Sequence, residues 1–240
     1  MLSRQKSHGP NFDKRAILRA HPMFGALGPD VIDRLASYAH TKAAAAGTTI
    51  FAKGDPGTSL CAVCSGTVMI RNRSPDGKDA VLNLVQTGEV FGEIALLDGR
   101  PRTADAVAMT DCELMVIDRR EFIPLVQSRP DIALKLIEVL CDRLRHTSEQ
   151  VEDVLFLELP ARLAKTLLWL AKNAKTSAQG KVTITQREIG QIIGMSREST
   201  NKQLRVWEQR NWVRLERGGV VVLAPEALAE VANASQLEID

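Results

Sequence analysis

Aromatic residues are scarce in this chain, 4% of 240 residues with a single tyrosine, so its cores must be built from Leu, Ile, Val and Ala. Cysteine is scarcer still. The four residues Cys61, Cys64, Cys112 and Cys141 are too few and too scattered for a disulfide framework. No apolar run approaches the roughly 18 residues that a membrane-spanning helix needs. The opening stretch, residues 1–15, is polar and has no apolar segment of the kind a secretory leader carries. Together these absences predict a protein of the reducing cytoplasm, with no membrane partner. Excess charge is missing too: the net charge is only +2. Any nucleic-acid partner must therefore be argued from local charge rather than from the total.

What is present divides along the chain. Residues 1–14 read as a disordered arm. A short helical stretch follows, with Ile17, Leu18, Phe24, Leu27, Val31, Ile32 and Leu35 on its apolar face. From Gly47 to about Phe122 the pattern changes to short apolar and β-branched runs (residues 48–51, 60–63, 67–70, 80–85, 103–108 and 112–117). Turn signals separate them: Gly54-Asp55-Pro56-Gly57, Ser65-Gly66, Ser74-Pro75-Asp76-Gly77 and Asp98-Gly99-Arg100-Pro101. Many short strands at regular spacing predict an all-β barrel or roll.

A long helix is expected from Pro130 to about Leu157. Ala133, Ile137, Leu140, Leu144, Thr147, Val151 and Val154 recur at steps of four and three, which is a heptad seam. Such a seam suits pairing with a second copy of the chain; packing on the chain's own β domain is the competing explanation. Thr147 and its neighbour Ser148 put hydroxyls where a coiled coil wants aliphatic groups. They are either a register-setting polar position or a ligand contact. Pro160 then marks a hinge.

In the last 80 residues Thr185-Gln186-Arg187-Glu188 has the form of a capping box, opening a helix to Ile193. Gly190 would let a second helix approach, Gly194 would turn the chain, and Ser196 would cap a helix running to about Glu208. Two short helices joined through glycine form the helix-turn-helix layout. The second opens with Arg197, Glu198, Asn201 and Lys202 on its exposed side. Arginine forks onto guanine, and glutamate accepts from the cytosine amino group. A charged solvated face is the plain alternative; the two capped helices around a glycine turn outweigh it. Residues 212–215 and 220–223 around Glu216-Arg217-Gly218-Gly219 read as a β-hairpin wing.

The most informative stretch is Phe91-Gly92-Glu93-Ile94-Ala95-Leu96-Leu97-Asp98-Gly99-Arg100-Pro101-Arg102-Thr103-Ala104. Gly92 permits close backbone approach, and Glu93 to Leu97 can form a helical turn with free amides. Arg102 is a forked, permanently charged donor suited to phosphate, Thr103 adds a hydroxyl, and Glu93 suits a ribose hydroxyl. An incidental turn with an Arg–Glu ion pair is the plain alternative.

This stretch resembles the phosphate-binding cassette of cyclic-nucleotide-binding domains. Its place before a long helix and a winged helix-turn-helix resembles the CRP–FNR superfamily of regulators. The likeness extends from about residue 16 to residue 223 and includes Arg145-His146-Thr147-Ser148-Glu149-Gln150-Val151 and the run from Arg187 to Glu198. The resemblance implies an α+β chain: a cyclic-nucleotide-binding β-roll over 15–128, a dimerisation helix over 129–158 and a winged helix-turn-helix domain over 159–240. It implies cyclic AMP, or another cyclic nucleotide, as effector. Gly92, Glu93, Ile94, Ala95, Arg102 and Thr103 would hold ribose and phosphate, Thr147 would meet the adenine amino group, and Ser148 would do so from the partner subunit. It further implies a homodimer on a palindromic operator in double-stranded DNA, read by Ser196, Arg197, Glu198, Asn201 and Lys202, with RNA polymerase as a further partner. Thr103 and Lys202 stand where the cyclic-AMP-receptor branch has serine and arginine, and Gln203 occupies a position more often apolar. The absence of an N-terminal cysteine cluster argues against the iron–sulfur sensing of the other branch.

Cys61 and Cys64 are spaced like a redox or zinc pair, but residues three apart on a strand point to opposite faces and cannot easily share a metal. No nucleophile–base set, Walker loop or metal motif stands out, so the sequence is not read as an enzyme. Two alternatives remain. The same fold could answer to another small effector or bind DNA without ligand, or the chain could be a regulatory subunit acting on a protein, which the helix-turn-helix argues against.

Overall fold

The computed structural model describes residues 13–21, 24–25, 27–74, 79–173, 181–182 and 184–234. The described residues divide into two compact units, those within 1–72 and 82–142 and those within 73–81 and 143–240.

In the first unit, helix α1 (Lys14–Ala20) is opened by Asp13, whose carboxylate accepts from the amides of Arg15 and Ala16. Of the arm expected over residues 1–14, residues 1–12 lie outside the described residues, while Asp13 caps α1 and Lys14 is its first residue. The single helical stretch expected next is two helices. A turn in which Phe24 and Gly25 donate to the His21 carbonyl separates α1 from α2 (Pro29–Tyr38), whose first residue is a helix-starting proline.

Two antiparallel four-stranded sheets follow. One has the order β1 (His40–Ala44), β8 (Cys112–Asp118), β3 (Ser59–Ser65), β6 (Val90–Phe91). The other runs β2 (Thr49–Phe51), β7 (Asp105–Ala108), β4 (Thr67–Arg73), β5 (Asp79–Gln86). Strand alternation sends residues to two cores. Cys61, Val63, Val68, Val85, Phe91, Ala106, Ala108, Leu114 and Val116 fill the inside of the roll. Leu60, Ala62, Met115 and Ile117 face outward, against Leu18, Ile32, Leu35, Phe122, Leu125, Ile132 and Leu136. Cys61 is thus inside and Cys64 outside, on opposite faces as their spacing requires. Among the described residues no group of His, Cys, Asp and Glu is arranged to hold a metal. The turn expected at Ser74-Pro75-Asp76-Gly77 lies outside the described residues after Ser74.

Between β6 and β7 sits the short helix α3 (Glu93–Asp98), and β8 leads into α4 (Arg119–Ser128), which tolerates Pro124 in its interior. Helix α5 (Pro130–Phe156) is 27 residues long, about 40 Å at 1.5 Å per residue. Its start packs on the outer core through Ile132 and Leu136, whereas Ile137, Leu144, Val151 and Val154 of the heptad seam are exposed.

The second unit holds α6 (Leu159–Asn173), α7 (Gln186–Ile193), α8 (Arg197–Gln209) and α9 (Pro225–Ala234). A three-stranded sheet of order β10 (Val213–Glu216), β11 (Gly219–Val222), β9 (Lys181–Val182) completes it. Pro160 is the second residue of α6 and so starts a helix rather than ending one; the break falls at Leu157 and Glu158. Buried Leu163, Leu167, Ile189, Ile193, Leu204, Trp207 and Val220 supply this unit's core. Among the described residues no helix is long and apolar enough to cross a membrane.

Candidate functional site

Gly92 follows β6 with φ 82°, a left-handed conformation that a side chain resists, and α3 begins at the next residue. A β-carbon at Gly92 would also collide with Nη1 of Arg102. That guanidinium explains the crowding: Nη1 donates to the Gly92 carbonyl at 2.8 Å. Nη2 donates to the Ser59 carbonyl at 2.8 Å and to its hydroxyl at 3.1 Å. The cation also lies over the Phe51 ring, 4.1 Å from the centroid. Its backbone is clamped in turn, Arg102 N–H to the Asp55 carbonyl at 2.8 Å and Gly54 N–H to the Arg102 carbonyl at 2.9 Å.

Arg102 is 5% exposed and Glu93 1% exposed. Burial pulls the guanidinium pKa down, while Cys61, Glu93 and Asp55 pull it back up. Nε of Arg102 is buried with no hydrogen-bond partner. A buried cation with a donor left over is what an anionic ligand would complete. Ala95 is buried, and Ile94 and Thr103 are exposed. The first unit therefore brings Gly92, Glu93 and Arg102 together, with Ile94, Ala95 and Thr103 in the same segment. Thr147 and Ser148 lie on α5 within the second unit, both exposed. Sequence reasoning missed Ser59 and Phe51. Their distance from Arg102 along the chain, 43 residues for Ser59, leaves no local signal.

In the second unit both halves of the capping box form, with Thr185 Oγ1 accepting from Glu188 N–H and the Glu188 carboxylate accepting from Thr185 N–H. Gly194 ends α7 with φ 70°, and Ser196 Oγ accepts from Ser199 N–H at 3.1 Å to open α8. Gly190 is closely packed: a β-carbon there would sit 3.0 Å from the Met195 carbonyl and 3.1 Å from Thr200 Oγ1, so both would have to give way. Thr200 is buried and donates to the Ser196 carbonyl at 3.0 Å, tying the helix start to the turn. On the opposite side of α8, Ser196, Arg197, Glu198 and Lys202 are exposed and Asn201 is half-buried. Arg205, not singled out from the sequence, is exposed one or two turns along the same face; the i, i+4 rule applied from Asn201 would have found it.

Residues 41–129 match the family described as "Cyclic nucleotide-binding domain", and residues 161–231 match "Crp-like helix-turn-helix domain". The chain is similar to the CRP-like cAMP-activated global transcriptional regulator of Mycobacterium tuberculosis, 36% identical over 90% of this chain and 99% of the relative. It is also similar to the cAMP-activated global transcriptional regulator CRP of Haemophilus influenzae, 34% identical over 80% of this chain and 88% of the relative. Among solved structures, the c-di-GMP-responsive global regulator CLP of Xanthomonas campestris superposes with a TM-score of 0.73 at 26% identity, covering 81% of this chain and 99% of that one.

Fold and motifs thus define a DNA-binding transcription regulator with a cyclic-nucleotide-binding domain. The chain belongs to the CRP–FNR family.

Proposed function

We propose that this regulator is a cytoplasmic homodimer that binds cyclic AMP and then recognises a palindromic operator. The observation that carries the nucleotide reading is Arg102, a buried guanidinium held by Gly92 and Ser59 with its Nε left unsatisfied, close to buried Glu93. A cyclic nucleotide offers an anion to the arginine and a ribose hydroxyl to the glutamate in one molecule. Thr103 and the amides of Gly92, Ile94 and Ala95 add donors for the phosphate. The preference for cyclic AMP rests on the cAMP-activated relatives and on Thr147 and Ser148. By family resemblance, Thr147 would meet the adenine amino group and Ser148 would do so from the partner subunit. The structural relative that responds to c-di-GMP makes the nucleotide a question for measurement.

Recognition of DNA would use the exposed face of α8. Arg197 would read guanine, Glu198 cytosine, and Lys202 guanine or phosphate, with Ser196 and Asn201 beside them. Two-fold symmetry sets half-sites about one helical turn, roughly 10 base pairs, apart. The nucleotide acts by binding the DNA-competent arrangement more tightly than the alternative. RNA polymerase is the further partner this reading implies.

Calorimetric titration with cyclic AMP and with cyclic GMP, beside Arg102→Ala, tests the reading. Micromolar or tighter cyclic AMP binding, lost in the variant, supports it. No heat with either nucleotide, in protein shown to be folded, overturns the nucleotide reading and leaves the effector to be sought elsewhere.

A further inference from the structure

The inner face of the roll carries a polar group, on β4, that the cassette does not use. Asn72, on β4, is half-buried, and its side-chain carbonyl Oδ1 is buried with no hydrogen-bond partner. A buried acceptor left without a donor is unfavourable, so its retention calls for a donor. Strand register locates it. Val68 pairs with Ala108 and Ile70 with Ala106, and all four belong to the inner core. Asn72, two residues past Ile70, shares their face. Phe51 pairs with Ala106 from the other side and carries the Arg102 guanidinium on its ring. The last β4–β7 pair is Arg71 with Asp105, so one further step sets Asn72 beside Ala104, directly after Arg102 and Thr103. Asn72 therefore stands at the cassette end of the roll interior, one row out from the row of Phe51, Ala106 and Ile70.

A carbonyl oxygen at that place needs an N–H or O–H. The cyclic phosphate offers none, and the ribose hydroxyl is the natural partner of Glu93. The donor that adenine and guanine share is the exocyclic amino group, 6-amino on adenine and 2-amino on guanine, with guanine adding its N1–H. This rests on the cyclic-nucleotide reading above. We propose that Asn72 is a specificity residue whose Oδ1 accepts from a purine exocyclic amino group.

The test compares nucleotides differing by one amino group. Calorimetry is run with cyclic AMP against purine riboside 3′,5′-cyclic phosphate, and with cyclic GMP against cyclic IMP. Each is titrated into the wild type, Asn72→Leu and Asn72→Asp. One hydrogen bond is worth about 3- to 10-fold in affinity. The expected result is that the wild type prefers the amino-bearing member of one pair, that Asn72→Leu cuts that preference at least threefold, and that Asn72→Asp, which keeps the acceptor, retains it. Which pair responds identifies the base. Unchanged ratios in both pairs for Asn72→Leu overturn the proposal. Binding of the amino-free nucleotides by that variant shows it is folded. If the wild type binds none of the four, the cyclic-nucleotide reading itself fails. If Arg102→Ala abolishes binding while the Asn72→Leu ratios stay put, only the assignment of Asn72 fails.

Discussion

Arg102 and Gly92 hold each other in place: the guanidinium donates to the Gly92 carbonyl at 2.8 Å, and the space it occupies is the space a β-carbon on Gly92 would need. Gly92→Ala therefore does two things. It places a side chain at φ 82°, costing about 1–2 kcal/mol, and it evicts the arginine from its seat. The expected outcome is a melting temperature lower by about 2–8 °C with nucleotide affinity reduced at least tenfold. Calorimetry beside a thermal melt separates the two effects, since a purely structural glycine would lower the melt alone.

Phe51 supports the same cation from beneath. The ring contact at 4.1 Å is worth about 0.5–2 kcal/mol, so Phe51→Leu should weaken cyclic-nucleotide binding by about 3- to 10-fold while keeping an apolar group in the roll. Titration of the variant checks this. An unchanged dissociation constant would mean the ring only packs against Phe91, whose centroid lies 5.7 Å away.

How much of this could be read beforehand divides by range. The capping box of Thr185 and Glu188, the Ser196 cap, the long helix α5 and the Cys61/Cys64 alternation are local rules of helix and strand, and the structure follows them. The β6–α3 turn was legible through Gly92. Ser59 and Phe51 were not, because strand pairing alone brings them under Arg102 and nothing in their own neighbourhoods announces it. Short edge elements such as β1, with four of its five residues exposed, and the two-residue β9 carry too little apolar pattern to be seen. The split of the first helical stretch was missed because Phe24, in the turn, is as buried as the helical Leu18.

His21 gives the first unit a pH dependence. It is 3% exposed, its ring centroid 4.8 Å from that of Phe24 in a tilted arrangement, and its burial lowers the pKa from 6.5 to about 4, against a raising contribution from the Glu89 backbone. The unfolded chain protonates first as pH falls, so the neutral imidazole favours the fold fully above pH 6.5. That contribution is lost progressively between 6.5 and about 4. At 1.36 kcal/mol per pH unit, moving from pH 7.5 to pH 5 should remove about 2 kcal/mol. Melts at the two pH values, compared with His21→Gln, check it: the variant should lose this part of the acid sensitivity.

On α8, Arg197 and Lys202 separate base reading from phosphate attraction. Arg197→Ala should cost about 1–3 kcal/mol on the best operator and relax the preference at one base position. A Lys202 that touches phosphate would, on replacement by alanine, weaken all sequences alike and reduce the salt slope by about one. Both side chains are exposed, so neither change should alter the melt. Binding curves on operator and scrambled DNA at two salt concentrations distinguish the cases.

The seam on α5 decides the assembly. Leu136 is 2% exposed and belongs to the chain's own outer core, whereas Leu144 is 69% exposed and Val151 54% exposed. An aliphatic row exposed over several turns of a helix is costly in water, and a copy of the same row would cover it. Leu144→Lys should therefore leave the fold of each chain intact and convert a dimer to a monomer in sedimentation velocity, while Leu136→Lys should unfold the first unit. A monomer places one α8 on one half-site, so operator affinity should fall at least tenfold in Leu144→Lys with little change on a single half-site. Were Leu144→Lys to sediment as the wild type does, the seam would be a solvent-facing stripe, and the hydroxyls of Thr147 and Ser148 would have no second subunit to serve.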